Sequence, residues 1–508
     1  MSENSQIFFK KNDIIIKKEG GMMLKDKKYA WYMAFKAKDT RFDGRFFVGV
    51  SSTKVYCRPV CRAKMPKFEN CTFFSTAAAA EQGGYRPCLI CRPELAPGNS
   101  ITDATASLVK HAAKTLEEEC GNGDSIEETA SHLGYTSRHL RRVFVSEYNV
   151  TPTQYLQTCR LLLAKSLLTD TNLSVLEVAM ASGFGSLRRF NDVFKKQYKL
   201  VPTALRKQAG NEKKQTDEIT LALGYRPPYQ WEHMLNFLAT RAIPGVEIIK
   251  DNKYYRTVHF INEKQHIYGW IQVEHQPVGS TLKVTMSAAL LPVLSQVLAR
   301  VRHLFDLSCD PYAVYEGLAS MNEINSELCV LGIRVPGCFN PFEMAVRAVL
   351  GQQITIKAAK TLAARLTENF GTPIETGIDG LTHIFPEPKV ILNLKDKISE
   401  HLGKIGIIQT RSKTILELAQ AFEEKSIDFN SCNYPEKEIK KLMDISGIGS
   451  WTAQYIAMRA MGWTDAFLET DYGVKKALAP HTSKEILALA EAWRPWRSYA
   501  TVNLWNTL

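Results

Sequence analysis

Residues 440–478 read KKLMDISGIGSWTAQYIAMRAMGWTDAFLETDYGVKKAL. At its centre Gly447-Ile448-Gly449 opens a helix at Ser450, the layout of a helix–hairpin–helix turn. Glycine lets a backbone come close to a DNA phosphate, and the start of a helix favours an anion. Such G-x-G turns are common, so the motif gains its weight from an acid further along the chain. Asp471 stands twenty residues beyond Trp451, in T-D-Y. Its residue type admits two readings. It caps a helix beginning at Tyr472, or it is a carboxylate kept charged for chemistry.

The segment resembles the helix-hairpin-helix DNA glycosylase superfamily, with Asp471 at its catalytic aspartate. Three more stretches narrow the likeness: RPPYQWEHMLNFLATRAIPGVE (226–247), PGCFNPFEMAVRAVLGQQIT (336–355) and AWRPWRSYATVNLWNTL (492–508). Together they are similar to AlkA-type 3-methyladenine DNA glycosylase II over about 218–508. The resemblance implies that Leu350 is the wedge filling the gap left by an extruded base, and that Trp451, Tyr455, Trp505 and Phe237 line an aromatic pocket. Without it, Leu350 reads as a helix-terminal core leucine and the aromatics as plain core. Methylated purines are cationic, and a ring face attracts such a cation by roughly 0.5–2 kcal/mol. Gly447 and Gly449 would meet the phosphate, and a monovalent cation at the hairpin is a further expectation. Family members that also cut the backbone carry a lysine just after the hairpin to form a Schiff base. Trp451 holds that place here, so the expected enzyme is monofunctional and leaves an abasic site. Cys432 is the last cysteine, so no iron–sulfur cluster is expected. The chain ends three residues after Trp505, shorter than the family usually runs, and a truncated last helix is expected.

Upstream the texture changes. YYRTVHFINEKQHIYGWIQVEHQPVGSTLKVTMS (254–287) is β-branched and aromatic with turn signals, and predicts antiparallel strands. From about 290 the pattern is helical, with Asp310-Pro311 and Asn340-Pro341 as cap-plus-proline helix starts. Between the turn-rich stretches LAPGNSITD (95–103) and KQAGNEKKQTDE (207–218), both read as linkers, lies a repeat spaced by about 50 residues. SIEETASHLGYTSRHLRRVF (125–144) parallels SVLEVAMASGFGSLRRFNDVF (174–194), Tyr148 repeats at Tyr198, and Pro152 at Pro202. Each copy opens with a capping box (Ser125/Glu128, Ser174/Glu177). Each breaks at a glycine (Gly134, Gly183) and starts a second helix near Ser137 or Ser186, which is a helix-turn-helix.

At the other end, Cys57 and Cys61 in VYCRPVCRAKM are followed by Cys88 and Cys91 in RPCLICRPE. Two close pairs are a common zinc layout, each loop giving two ligands. The first histidine is His111, so the site would be four cysteines, with Cys71 a spare thiol. A zinc deaminase needs an upstream H-x-E and is excluded. FVGVSSTKVYCRPVCRAKMP followed by GGYRPCLICRPE resembles the zinc domain of Ada-type alkylation-response proteins. That resemblance implies that Cys57 irreversibly accepts a methyl group from a DNA methylphosphotriester, with Cys61, Cys88 and Cys91 as the other ligands. Zinc holds thiols as thiolates near neutral pH. Methylation would take the site from a formal charge of −2 to −1 and tighten its hold on DNA. Arg58 and Arg62 would flank the phosphate, or are solvated surface charge. Residues 101–207 resemble the paired helix-turn-helix of AraC-type regulators, which places Arg138, His139, Arg141 and Arg142 on a first reading helix and Ser186, Leu187, Arg188, Arg189 and Asn191 on a second. The P-C-H-R motif of the family's O6-methylguanine acceptor is missing, so that repair is not expected.

The bulk numbers agree. A chain of 508 residues exceeds one core. All of its +12 charge lies in front: residues 1–210 hold 32 Lys and Arg against 20 Asp and Glu, and 211–508 hold 32 of each. A basic half suits a polyanion. No apolar run of about 18 residues and no signal-peptide layout occur. The eleven cysteines then read as mostly free thiols of a reducing, cytoplasmic compartment. Met22 or Met23 also fits a start.

The expected fold is multidomain and mainly α with α+β parts. Residues 1–27 form a disordered tail, 28–97 a small four-cysteine zinc domain, and 101–207 an all-α double helix-turn-helix. An antiparallel-sheet α+β subdomain spans 218–325, and an α-helical helix-hairpin-helix glycosylase domain 326–508. The expected protein is a monomer that senses alkylation, activates repair genes with RNA polymerase, and excises alkylated purines such as 3-methyladenine and 7-methylguanine. It binds one Zn²⁺ and double-stranded DNA, both damaged and promoter, and no membrane. Two rivals stand: a regulator whose glycosylase half only binds DNA, and a zinc site that is structural only.

Overall fold

Val55–Cys57 is a short β-branched strand, and in the computed structural model it pairs antiparallel with Phe47–Val50, Cys57 lying opposite Val48. The structure describes residues 8–10, 13–15, 24–97, 107–121, 126–132, 135–208, 217–262, 265–427, 429 and 435–507. Ser125, Gly134, Cys432 and the central parts of both expected linkers lie outside them. The chain divides into two units, Met1–Gln215 with Gly224–Arg226, and Thr216–Leu223 with Pro227–Leu508.

In the first unit, strands Cys71–Phe74, Phe47–Val50, Val55–Cys57 and Arg86–Pro87 form one sheet in that order. Helix Leu24–Lys36 starts inside the stretch expected as a tail, where Phe8–Lys10 and Asp13–Ile15 also pair as a hairpin. Among the described residues the repeat follows as seven helices, with the long helix Pro152–Asp170 between its two copies. Thr136 caps helix Ser137–Tyr148, and Ser186 caps helix Leu187–Tyr198. Ser174 and Glu177 close a full capping box. Gly183, at φ +74°, turns the chain where a Cβ would lie 2.1 Å from the Cys120 carbonyl oxygen, so no larger residue fits.

The sheet and the helices meet on a buried carboxyl. Glu81 accepts hydroxyls from Tyr56 at 3.1 Å, from Thr158 of the long helix at 3.1 Å, and from Tyr198 of the last repeat helix at 3.3 Å. Lys165, fully buried, donates to Glu94 at 2.5 Å nearby. Burial pushes the Glu81 carboxyl up to about 8, against the hydroxyls that favour its charge. The folded unit therefore holds a proton that the unfolded chain releases near its ordinary 4.5. This contribution to stability is whole below about 4.5 and is lost as pH rises through about 8, with a slope of at most about 1.4 kcal/mol per pH unit. We expect the thermal midpoint of wild type relative to Glu81→Gln to fall across this window; a difference that stays flat would refute the assignment.

The second unit begins with a five-stranded antiparallel sheet. Its strand order is Glu218–Gly224, Thr281–Ser287, Gln265–Gln276, Lys253–Asn262, Glu247–Lys250. The strands expected in 254–287 are present, and Glu218–Gly224 and Glu247–Lys250 join them. Helices follow from Leu294, and Asp310 and Asn340 each cap a helix that begins at the next proline. Two apolar clusters organise the helical part. One surrounds helix Pro341–Leu350, and the other surrounds Trp493, Trp496 and Tyr499. Helix Ser450–Ile456 packs between them and carries Trp451 and Tyr455 to the seam.

Candidate functional site

The four sulfurs of Cys57, Cys61, Cys88 and Cys91 lie within 4.8 Å of one another. Cys57 arrives at the end of its strand, and Cys61 follows a turn closed by the Cys61 N–H on the Arg58 carbonyl at 3.1 Å. Backbone N–H groups of Arg58 and Ile90 approach the sulfurs of Cys91 and Cys88, each at 3.4 Å. Thiols alone share protons here: bonding from Cys61 pushes the Cys57 thiol up, and bonding from Cys57 pulls the Cys88 thiol down. Four clustered sulfurs with amide donors behind them fit a tetrahedral zinc ion. Cys71 is outside the cluster and donates instead to the Lys67 carbonyl at 3.3 Å.

Arg58 is not free for phosphate. Its guanidinium pairs with the buried Asp43 and donates to the Cys91 carbonyl at 3.1 Å, with its side chain only 12% exposed. It braces the sulfur loops. Arg62 is exposed.

In the repeat, the buried faces of the two second helices are Leu140, Phe144 and Tyr148, and Phe190, Phe194 and Tyr198. Arg138, Arg141, Arg142, Arg188 and Arg189 fall on the exposed faces, and Arg142 bonds His139 Nδ1 at 3.2 Å. Two cationic helix faces, each opposite an anchored core stripe, suit groove contact with a duplex.

The second unit contains a cleft of about 460 Å³. Trp451, Tyr455, Trp505 and Asp471 line it, with Arg241, Arg347 and Arg459 beneath. Asp471 caps the helix that follows it, as one sequence reading expected. Its Oδ1 caps helix Tyr472–Ala477 by accepting the N–H groups of Gly473 at 2.8 Å and Val474 at 3.2 Å. The same oxygen accepts Trp505 Nε1–H at 2.9 Å, and Oδ2 accepts Trp451 Nε1–H at 3.1 Å. Every partner is a donor, as an ionised carboxylate requires. Trp451 stacks on Tyr455 with centroids 5.2 Å apart, and Phe237 stacks on Trp505 at 6.0 Å.

The arginine floor was not foreseen. Arg459 donates to the Tyr455 hydroxyl at 2.7 Å, and Arg241 lies 3.7 Å over the Phe237 ring. Burial pushes the Tyr455 phenol up, but Arg459, Arg241 and Arg347 outweigh it and leave it below the usual tyrosine range. Arg347 is itself neutralised by Glu247 at 2.9 Å and Glu343 at 3.0 Å. The spacing of Arg459, four residues after Tyr455 in the helical turn Ala457–Met461 that continues Ser450–Ile456, was the available signal.

Leu350 corrects an expectation. It is fully buried in the core around its own helix and has no surface to insert. The exposed residue of the following turn is Gln353, in the left-handed region at φ 53°. Its neighbour Gln352 ties this turn to the hairpin through the Gly447 carbonyl at 2.8 Å and Thr452 Oγ1 at 3.0 Å. At the hairpin, Gly447 has φ +87°, and a Cβ there would lie 2.2 Å from Thr414 Oγ1. A Cβ at Gly449 would meet nothing within 4 Å, so the approach to the start of helix Ser450–Ile456 is open.

Four known families match the chain in succession. The metal binding domain of Ada matches residues 30–94, and a helix-turn-helix domain matches 129–208. The AlkA N-terminal domain matches 220–340, and the HhH-GPD superfamily of base excision DNA repair proteins matches 346–492. The chain is 34% identical over 487 residues to the probable bifunctional transcriptional activator/DNA repair enzyme AlkA of Mycobacterium tuberculosis, covering 94% of this chain and 96% of that protein. It is 34% identical to DNA-3-methyladenine glycosylase 2 of Escherichia coli over 56% of this chain and 96% of the other. It is 33% identical to the bifunctional transcriptional activator/DNA repair enzyme Ada of Escherichia coli over 24% of this chain and 34% of that one.

Proposed function

The chain belongs to the family of the bifunctional transcriptional activator/DNA repair enzyme AlkA, and from that premise we propose that it couples excision of alkylated purines to a methyl-triggered transcriptional response. The observation that carries the first half is one carboxylate, Asp471, held by four N–H donors at the edge of an aromatic cleft. An extruded 3-methyladenine or 7-methylguanine enters between Trp451, Tyr455 and Trp505. Its positive charge favours ring faces, and its glycosidic bond is already weakened. As the C–N bond lengthens, the Asp471 carboxylate offsets the charge growing on the sugar. The base leaves with the bonding pair as a neutral methylpurine, and water bonds to the sugar carbon and releases one proton to solvent. No lysine stands at the start of the hairpin helix, which supports hydrolysis without strand cutting. The exposed turn at Gln353 supports its role as the residue that fills the vacated stack. Gln353→Ala should lower release from duplex by roughly tenfold, a fraction of the few kcal/mol that unstacking costs, and leave release from single strands unchanged. Equal losses on both would remove Gln353 from this role.

In the first unit, Cys57, Cys61, Cys88 and Cys91 would hold zinc, which when bound keeps their sulfurs as thiolates at neutral pH. The Cys57 sulfur takes the methyl carbon of a phosphotriester; an S–C bond forms, the C–O bond breaks, and the phosphate departs as a diester anion. The cluster loses one negative charge and DNA is held more tightly. The exposed arginines of the two repeat helices would then read a promoter. One observation favours the rival in which the sulfurs are structural only: Cys57 is 5% exposed, so a phosphotriester must reach it through a narrow opening.

The deciding experiment is intact mass before and after exposure to methylated DNA, alongside a base-release assay. One added methyl group on Cys57 and free methylated purine in solution are the expected results. No added mass would leave the sulfur site structural, and no free base would leave the second unit a DNA-binding module.

A further inference from the structure

A second cluster of metal-ligating side chains lies on the sheet of the second unit, outside the lining of its cleft. His259 stands on strand Lys253–Asn262, and His266 stands on the neighbouring strand Gln265–Gln276. The register sets His259 opposite Tyr268 and His266 opposite Ile261, so the two histidines are diagonal neighbours on one face. His259 Nε2 is 3.0 Å from His266 Nδ1. Glu387 closes the group from the start of helix Pro388–Leu392, with Oε1 3.6 Å from His266 Nδ1 and 3.2 Å from His259 Nδ1. One ligand atom from each residue falls within 4.8 Å of the others.

Three features separate this trio from ordinary surface polarity. The separations of 3.0 and 3.6 Å lie close to the roughly 3.3–3.6 Å edge of a tetrahedron with metal–ligand bonds near 2.0–2.2 Å. Glu387 occupies the N-cap position, yet its carboxylate makes no cap bond and turns to the imidazoles. The His259 side chain is 9% exposed and that of Glu387 17%, while His266 is 46% exposed, leaving one side open for a further ligand.

We infer that His259, His266 and Glu387 form a three-ligand site for a borderline divalent cation, with Zn²⁺ as the probe, that clips the strand hairpin to the helical part of the second unit. The donor set of two imidazoles and a carboxylate, with no sulfur, differs in kind from the four-cysteine cluster. Arg300 lies close enough to His259 for its charge to be felt there. The same Arg300 repels an arriving cation, so this site should be weaker than the sulfur site. The competing arrangement is a hydrogen-bonded chain, His266 to His259 to Glu387, with no metal. None of the three residues lines the glycosylase cleft, so the inference stands or falls independently of base excision.

The test is calorimetric titration of the full chain, its sulfur cluster already loaded, with Zn²⁺. Wild type should take up one further equivalent, and His266→Ala and Glu387→Gln should take up none. With Co²⁺ in place of Zn²⁺, the added equivalent should give ligand-field absorption without new thiolate charge-transfer bands. Excess Zn²⁺ should raise the melting midpoint of the second unit in wild type alone. His266 is exposed, so its replacement leaves the fold intact. No further equivalent in wild type establishes the hydrogen-bonded chain and overturns the site. A further equivalent that persists in both variants places the metal elsewhere and overturns it equally.

Discussion

Asp471→Asn should lower single-turnover release of 3-methyladenine from duplex DNA by at least about 10²–10³-fold, with affinity for the same duplex little changed. Charge and geometry can be told apart by magnitude. Asparagine can keep its oxygen at the Oδ1 position, so the bonds from Gly473, Val474 and Trp505 survive. Its amide then faces Trp451 Nε1–H, and two donors meet where one bond was 3.1 Å long. A lost hydrogen bond of this kind costs about 0.5–1.5 kcal/mol. Removing a charge that opposes a growing cation costs about 2.7–4 kcal/mol. Trp451→Phe deletes the same hydrogen bond and keeps the carboxylate, so it should lose distinctly less than Asp471→Asn. Equal losses would mean that Asp471 only positions its neighbours, and the regulator rival would gain.

The cap at Asp471 was legible because its evidence is local: an acid directly before a helix start. The cysteines were legible for the same reason, since two tight pairs without a histidine point to sulfur ligands, with Cys71 the one spare thiol between them. The failures share a cause too. Arg58 reads as a surface cation because nothing adjacent marks Asp43, fifteen residues upstream, as its buried partner. Leu350 and Gln353 are three residues apart, and which one faces outward depends on how a helix end rolls into the core. Glu81 sits in a plain alanine-rich helix, AAAAEQ, and becomes a hub only when residues 25, 77 and 117 positions away close around it. Long-range polar partners leave no periodicity to read, whereas caps do. Ser174, Ser186, Asp310 and Asn340 all stand where their residue type places them.

Stripping zinc from the four-cysteine cluster should unfold the small domain around it while base release by the second unit continues. The sulfurs are part of the domain's packing: Cys57, Cys61 and Cys88 are buried in one cluster with Ala34, Phe35, Phe46 and Val48. That core is too small to stand alone, and structural zinc supplies about 10–16 kcal/mol in comparably small modules. Without the metal, four sulfurs within 4.8 Å compete for protons in a site that burial keeps from water. Cys88→Ser should therefore release zinc and expose residues 28–97 to protease. Because Tyr56 and Glu81 anchor the sheet to Thr158 and Tyr198, the same change should loosen the last repeat helix and weaken promoter binding. Cys57→Ser discriminates between the two roles of the cluster. A methyl acceptor lost with three ligands kept should still hold zinc, more weakly, yet gain no mass from methylated DNA. If wild type and Cys88→Ser melt and digest alike, the sulfurs hold no structural metal, and the switch built on them goes with it.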